Sequence, residues 1–143
     1  MKHYVDSSVV LVALLEKSPV LDALSGEPEV ASSRLLWIEV SRVLERAIRT
    51  SRLSVPDSVA ARRRFDQMAT GIAQLKLHEP VFSRASGPYP VVIKTLDALH
   101  LASAELWLQG ASTTGAAVWT LDRQMNLCAA SLGFQTPLLD QSR

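Results

Sequence analysis

Short β-type runs alternate with longer helical ones along this chain. His3-Tyr4-Val5 reads as a strand that stops at Asp6-Ser7-Ser8, a polar trio suited to capping the apolar run Val9-Val10-Leu11-Val12-Ala13-Leu14-Leu15 as a helix. A short helix over residues 20–24, closed by Ser25-Gly26, leads to a second strand over residues 28–32. Ser32 or Ser33 then caps a helix in which Leu35, Leu36, Val40, Val43, Leu44, Ala47 and Ile48 recur at helical spacing. That helix ends near Arg52, and Pro56 starts another that runs to about Gly71, giving a helical hairpin. Residues 75–78 read as a third strand, and Glu79-Pro80 opens a further short helix. The loop signal Ser86-Gly87-Pro88-Tyr89-Pro90 delivers the chain to a helix from Thr95 to about Gly110. Residues 117–121 form a strand ending at Asp122, Arg123 to Ser131 a last helix with Gly133 behind it, and residues 136–139 a closing strand. Alternating strands and helices predict an α/β fold, a parallel sheet covered by helices on both faces, in one domain over residues 1–143.

Within that pattern the run Lys94-Thr95-Leu96-Asp97-Ala98-Leu99-His100-Leu101-Ala102-Ser103-Ala104 stands apart. It has no wide polar face, so it is expected to run through the interior. It nevertheless opens with a carboxylate, and a charge at the mouth of a buried helix is costly unless a cation, a proton or hydrogen-bond donors compensate it. Three more acids occupy comparable positions. Asp6 and Asp122 each follow an apolar strand and precede a helix, positions that gather at the carboxyl edge of a parallel sheet. Glu39 lies three residues after Leu36 and four before Val43, on the apolar stripe of its helix and away from Arg42, Arg46 and Arg49.

Four carboxylates converging on one place raise each other's pKa values. A hard divalent cation resolves that conflict, because Mg²⁺ and Mn²⁺ prefer oxygen ligands. Each acid also has a purely structural role open to it. Asp6 and Asp122 suit helix N-caps, Asp97 suits a helix N-terminus through the macrodipole, and Glu39 could pair with a buried arginine. The four together point to a metal site, since structural roles would have to coincide at all four. Ser7 and Thr120 stand beside strand-end acids and could bond to them or to a water, or simply cap. His3, His78 and His100 lack zinc-ligand spacing, and His100, a turn after Asp97, is expected to be structural. No glycine-rich phosphate loop is present.

Composition adds boundaries to this reading. Hydrophobic residues at 48% and charged ones at 20% fit a folded globule rather than a disordered chain. No apolar run approaches the roughly 18–20 residues of a membrane span. The chain enters its first strand at once, so no secretory leader is expected. The single Cys128 cannot form an internal disulfide, and a reducing cytoplasm is the expected compartment. A net charge of +1 argues against a global basic field. Arg42, Arg46, Arg49, Arg52, Arg62, Arg63 and Arg64, set against Glu45, Asp57 and Asp66, nonetheless make the hairpin locally basic. A solvated helix face and a phosphate-binding one share that composition, and both stay open.

In this order and spacing, Tyr4-Val5-Asp6-Ser7-Ser8, Glu39 after a small-residue strand, Leu96-Asp97-Ala98-Leu99-His100-Leu101-Ala102 and Thr120-Leu121-Asp122 resemble a PIN domain, of the size found in VapC-type toxins of bacterial toxin–antitoxin pairs. The resemblance spans essentially the whole chain. It implies a three-layer α/β/α fold with a mostly parallel central sheet and a protruding helical hairpin, here about residues 43–71. It further implies an Mg²⁺- or Mn²⁺-dependent endoribonuclease whose catalytic, metal-holding acids match Asp6, Glu39, Asp97 and Asp122. Asn126, one turn after the fourth acid, is a candidate helper. The implied partners are an RNA substrate such as a transfer or ribosomal RNA loop, a VapB-type antitoxin, and a second copy of the chain in a homodimer. Two other readings fit the same residues: a catalytically inactive PIN-like binding domain, and a metal-dependent phosphohydrolase of another α/β fold.

Overall fold

The computed structural model describes residues 1–143, built around four parallel strands. These are β1 (Lys2–Val5), β2 (Val30–Ser33), β3 (Ala73–Leu75) and β4 (Ala116–Trp119), in the order β3-β2-β1-β4. The register sets Tyr4 opposite Ala31 on one side and Val118 on the other, and brings Val5 beside Trp119. β2 and β4 are buried along their whole length and β1 from His3 onward, as strands of a parallel sheet covered on both faces must be.

Six α-helices supply that cover: α1 (Ser7–Leu15), α2 (Leu35–Arg49), α3 (Val55–Ala69), α4 (Glu79–Ala85), α5 (Thr95–Trp107) and α6 (Arg123–Ser131). Strand alternation sorts the side chains into two cores. Val5, Ala117 and Trp119 pack with Val9, Leu14, Val40 and Phe65 on the side of α1, α2 and α3. Tyr4, Ala116 and Val118 pack with Leu101, Ala104, Met125 and Cys128 on the side of α5 and α6. The result is the three-layer α/β/α arrangement. The hairpin of α2 and α3 turns Leu44, Ala47, Ala61 and Phe65 inward, with the Phe65 ring edge-on to Trp37 at 5.9 Å. Its arginines point outward, where Arg42 and Arg49 share Glu45.

The structure corrects several predicted elements. The closing strand expected at residues 136–139 is a single bridge between Ala117 and Gln135, followed by a 3-10 turn at Leu139–Gln141. Pro137 has no N–H to continue a ladder, so pairing stops after the Gln135 backbone has bonded to Ala116 and Val118. The segment at 20–24 is also 3-10, spanning Pro19–Leu24. β3 lies two residues earlier than expected, on an open edge where exposed Ala73 and Gln74 leave no apolar signature. α5 ends at Trp107 because Gln109 and Gly110 adopt left-handed conformations with φ of 50° and 85°. Ser33 does serve the start of α2, its Oγ accepting the Leu35 N–H at 3.1 Å. No helix is long and apolar enough to cross a membrane.

Candidate active site

The carboxyl ends of β1 and β4 lie side by side, and the Asp6 N–H donates to the Trp119 carbonyl at 3.1 Å. Asp6 and Asp122 therefore leave the sheet together. Asp6 is the N-cap of α1, its Oδ1 accepting the backbone N–H groups of Ser8 at 3.0 Å and Val9 at 3.4 Å. Two hydroxyls complete its surroundings: Ser8 donates to Oδ1 at 2.6 Å and Thr120 to Oδ2 at 2.5 Å. Each hydroxyl accepts in turn from the next strand end, Ser8 from the Leu121 N–H at 2.9 Å and Thr120 from the Asp122 N–H at 3.1 Å. Asp6 is thus clamped between α1 and the end of β4, with 4% of its surface exposed. Burial raises its carboxyl above the ordinary value, while positive charge on His100 and then the donors from Ser8, Thr120 and Val9 oppose the rise.

Asp97 is the third residue of α5, partly buried, with its carboxyl pushed up from 3.8 to about 6. Burial is the largest cause, followed by the negative charges of Asp122 and Asp6; the Lys94 backbone N–H works the other way. Asp122 caps α6 through a 2.8 Å bond from the Met125 N–H and shares with Asp97 a cleft of about 430 Å³ also lined by Lys94, Gln124 and Arg143.

Glu39 sits in the second turn of α2, where no backbone N–H is free to bind it. Ser7 donates to its Oε2 at 2.8 Å and His100 Nε2 donates to its Oε1 at 2.7 Å. No arginine pairs with it. His100 is buried, and its Nδ1 lies 2.6 Å from the Tyr4 hydroxyl oxygen, in hydrogen-bond contact with it. The Tyr4 oxygen in turn accepts the Ser33 N–H at 3.1 Å.

Asp97 thus lies near enough to Asp122 and Asp6 to feel their charge, and Glu39 is tied to the same region through Ser7, next to Asp6, and His100, one turn from Asp97. Ser7 and Thr120 both bond to acids, Ser7 to Glu39 and Thr120 to Asp6. Asn126 is fully buried and donates to the Thr120 carbonyl at 2.8 Å, so it braces the strand end and bonds to none of the carboxylates. Sequence reasoning missed Ser8 and Tyr4 and left His100 outside the site. The signals available were positional: Tyr4 shares a strand face with Asp6, and His100 stands one helical turn beyond Asp97.

The donor set decides which ion could fit. No three acids and imidazoles stand close enough to form a cage around one point. The sole cysteine lies buried in α6, which removes thiolate chemistry. Mg²⁺ needs no such cage, since it keeps several waters and binds through one or two carboxylates. Asp6 and Asp97, both raised by burial and Asp97 also by the negative charges of Asp122 and Asp6, fit that kind of ion.

No curated protein matches the chain. Among solved structures, PAE2754 from Pyrobaculum aerophilum is 17% identical with a TM-score of 0.65, covering 99% of this chain and 85% of that one. A chain of a toxin-antitoxin complex from Klebsiella pneumoniae is 16% identical with a TM-score of 0.58, covering 86% of this chain and 88% of that one. At these identities the likeness is one of fold. The family model of the PIN domain matches residues 3–129, a span that encloses all four acids. The chain belongs to the PIN domain family.

Proposed function

We propose that this chain is an Mg²⁺- or Mn²⁺-dependent endoribonuclease and the toxin of a VapC-type toxin–antitoxin pair. PIN domains are generally metal-dependent nucleases. The observation that carries the reading here is Asp97: its carboxyl is held up to about 6 by burial and by Asp122 and Asp6, charge that is repulsive until a cation is added. Asp6 and Asp97 would hold the ion, with Asp122 and Glu39 completing the set directly or through water. Bound there, a divalent cation lowers the pKa of a water and offsets charge developing on a phosphate. The chain's own part is rigidity and acceptance. Asp6 is fixed by four donors, Asp97 rides on a buried helix, and Glu39 keeps lone pairs beyond those taken by Ser7 and His100 to orient a water.

The substrate in this reading is a single-stranded loop of transfer or ribosomal RNA, whose unstacked bases a protein can read. A small VapB-type antitoxin as partner is supported by the Klebsiella pneumoniae neighbour, which comes from a toxin-antitoxin complex. A homodimer and a cytoplasmic location complete the proposal.

The test is cleavage of total cellular RNA with Mg²⁺ or Mn²⁺ by wild type, Asp6→Asn and Asp97→Asn, each first shown to be folded. Loss of cleavage in both variants is expected; wild-type activity in both would sink the assignment. A second reading, a non-catalytic binding domain, is favoured by one observation: Asp6 and Asp122 both cap helices through satisfied bonds. Under that reading Mn²⁺ would leave the melting temperature unchanged, whereas a competent site must be stabilised by its ligand.

A further inference from the structure

Glu39 is held unlike the other acids. Asp6 and Asp122 take backbone N–H donors as helix N-caps, whereas Glu39 is bound by side chains alone. One of those is an imidazole, which when neutral carries one donor and one acceptor nitrogen. Its neighbours decide which is which. The carboxylate facing Nε2 at 2.7 Å can only accept, so Nε2 bears the hydrogen. In the neutral ring Nδ1 then accepts from Tyr4 at 2.6 Å, and the Ser33 N–H, donating to the Tyr4 oxygen at 3.1 Å, leaves the phenol's own hydrogen for His100.

These bonds form a chain that crosses the sheet: Ser33 on β2 to Tyr4 on β1, to His100 on α5, to Glu39 on α2. Tyr4 and His100 are 1% and 2% exposed, so neither ring can turn away without stranding buried polar atoms.

We propose that Tyr4 and His100 are positioning residues, a buried relay that with Ser7 locks the Glu39 carboxylate in one orientation within the acid cluster. The role in turnover rests on the nuclease reading above; the geometry and any effect on cation binding do not.

The test compares Tyr4→Phe, His100→Gln and His100→Leu, alone and combined with Glu39→Gln. Its readouts are kcat and KM for RNA with Mn²⁺, Mn²⁺ affinity from melting-temperature titration, and the nitrogen NMR signals of the imidazole. The wild-type spectrum should show the Nε2–H tautomer. His100→Leu should lower kcat and weaken Mn²⁺ binding by about 10- to 100-fold, as loss of an outer partner of a metal ligand does, with KM little changed. His100→Gln, which keeps an N–H donor, should recover part of both losses, and Tyr4→Phe should fall between. In the Glu39→Gln background Tyr4→Phe should add no further loss, because its effect passes through Glu39.

Wild-type kcat and Mn²⁺ affinity in folded Tyr4→Phe and His100→Leu would overturn the proposal. So would an undiminished effect of Tyr4→Phe in the Glu39→Gln background. If wild type cleaves no RNA, or Asp97→Asn cleaves as well as wild type, the nuclease reading falls instead. The Mn²⁺ titration and the imidazole spectrum then still decide whether the relay exists.

Discussion

Replacing Asp97 with asparagine is expected to make the metal-free protein more stable while removing its response to a divalent cation. The folded carboxyl titrates at about 6 against an ordinary 3.8, so ionising it is harder in the folded chain than in the unfolded one. The sign follows from linkage. Well below pH 3.8 the group is neutral in both states and carries no penalty. Between 4 and 6 the unfolded chain gives up its proton first and the folded state loses ground, and above 6 the full penalty stands. At 1.36 kcal/mol per unit the rise corresponds to about 3 kcal/mol at most, and solvent reaching the partly exposed group screens a share of it.

Asparagine keeps the shape of the side chain and removes its charge. The balance is a gain of about 1–2 kcal/mol at pH 7, or roughly 3–6 °C in melting temperature for a chain of this size. Thermal denaturation in EDTA at pH 7 and pH 4 measures it. The variant should melt higher at pH 7, and the gap should close at pH 4. Mn²⁺ at a hundredfold excess over its Kd should add about 2.7 kcal/mol to wild type and nothing comparable to the variant. An Asp97→Asn protein that melts below wild type at pH 7 in EDTA, or that Mn²⁺ stabilises equally, would refute the reasoning.

Other perturbations separate the clamp, the hairpin and the turn. Thr120→Val keeps the shape but strips Asp6 of its Oδ2 donor and leaves the Asp122 N–H without an acceptor; about 1–3 kcal/mol should be lost in denaturant titration, with weaker Mn²⁺ binding. Phe65→Ala opens a void where the hairpin enters the core and should cost about 3–5 kcal/mol, read as a lower midpoint of a single transition; a separate early transition would mean that the hairpin unfolds independently. Gly133→Ala forces a side chain onto a φ of 96° and a Cβ to within 2.4 Å of Thr113 Oγ1, which bonds to the Leu132 carbonyl. It should destabilise by more than 1 kcal/mol while leaving Mn²⁺ affinity unchanged once folded.

Local patterning was enough to place the acids. A strand that stops at a short polar residue and turns into a helix puts that residue at the carboxyl edge of a parallel sheet, which determined Asp6 and Asp122. The 3.6-residue repeat of α2 determined that Glu39 faces inward, and the low polarity of α5 determined that Asp97 opens a buried helix. Such rules set the direction a side chain takes from its own element and nothing beyond it. They could not show that Ser8 reaches the end of β4, or that Pro137 reduces the last strand to one bridge. Nor could they pair Tyr4 with His100 across 96 positions, or His100 with Glu39 across 61. Those contacts were decided by how the layers stack, because a hydrogen bond requires two atoms from different elements to arrive within about 3 Å, a condition on packing rather than on periodicity.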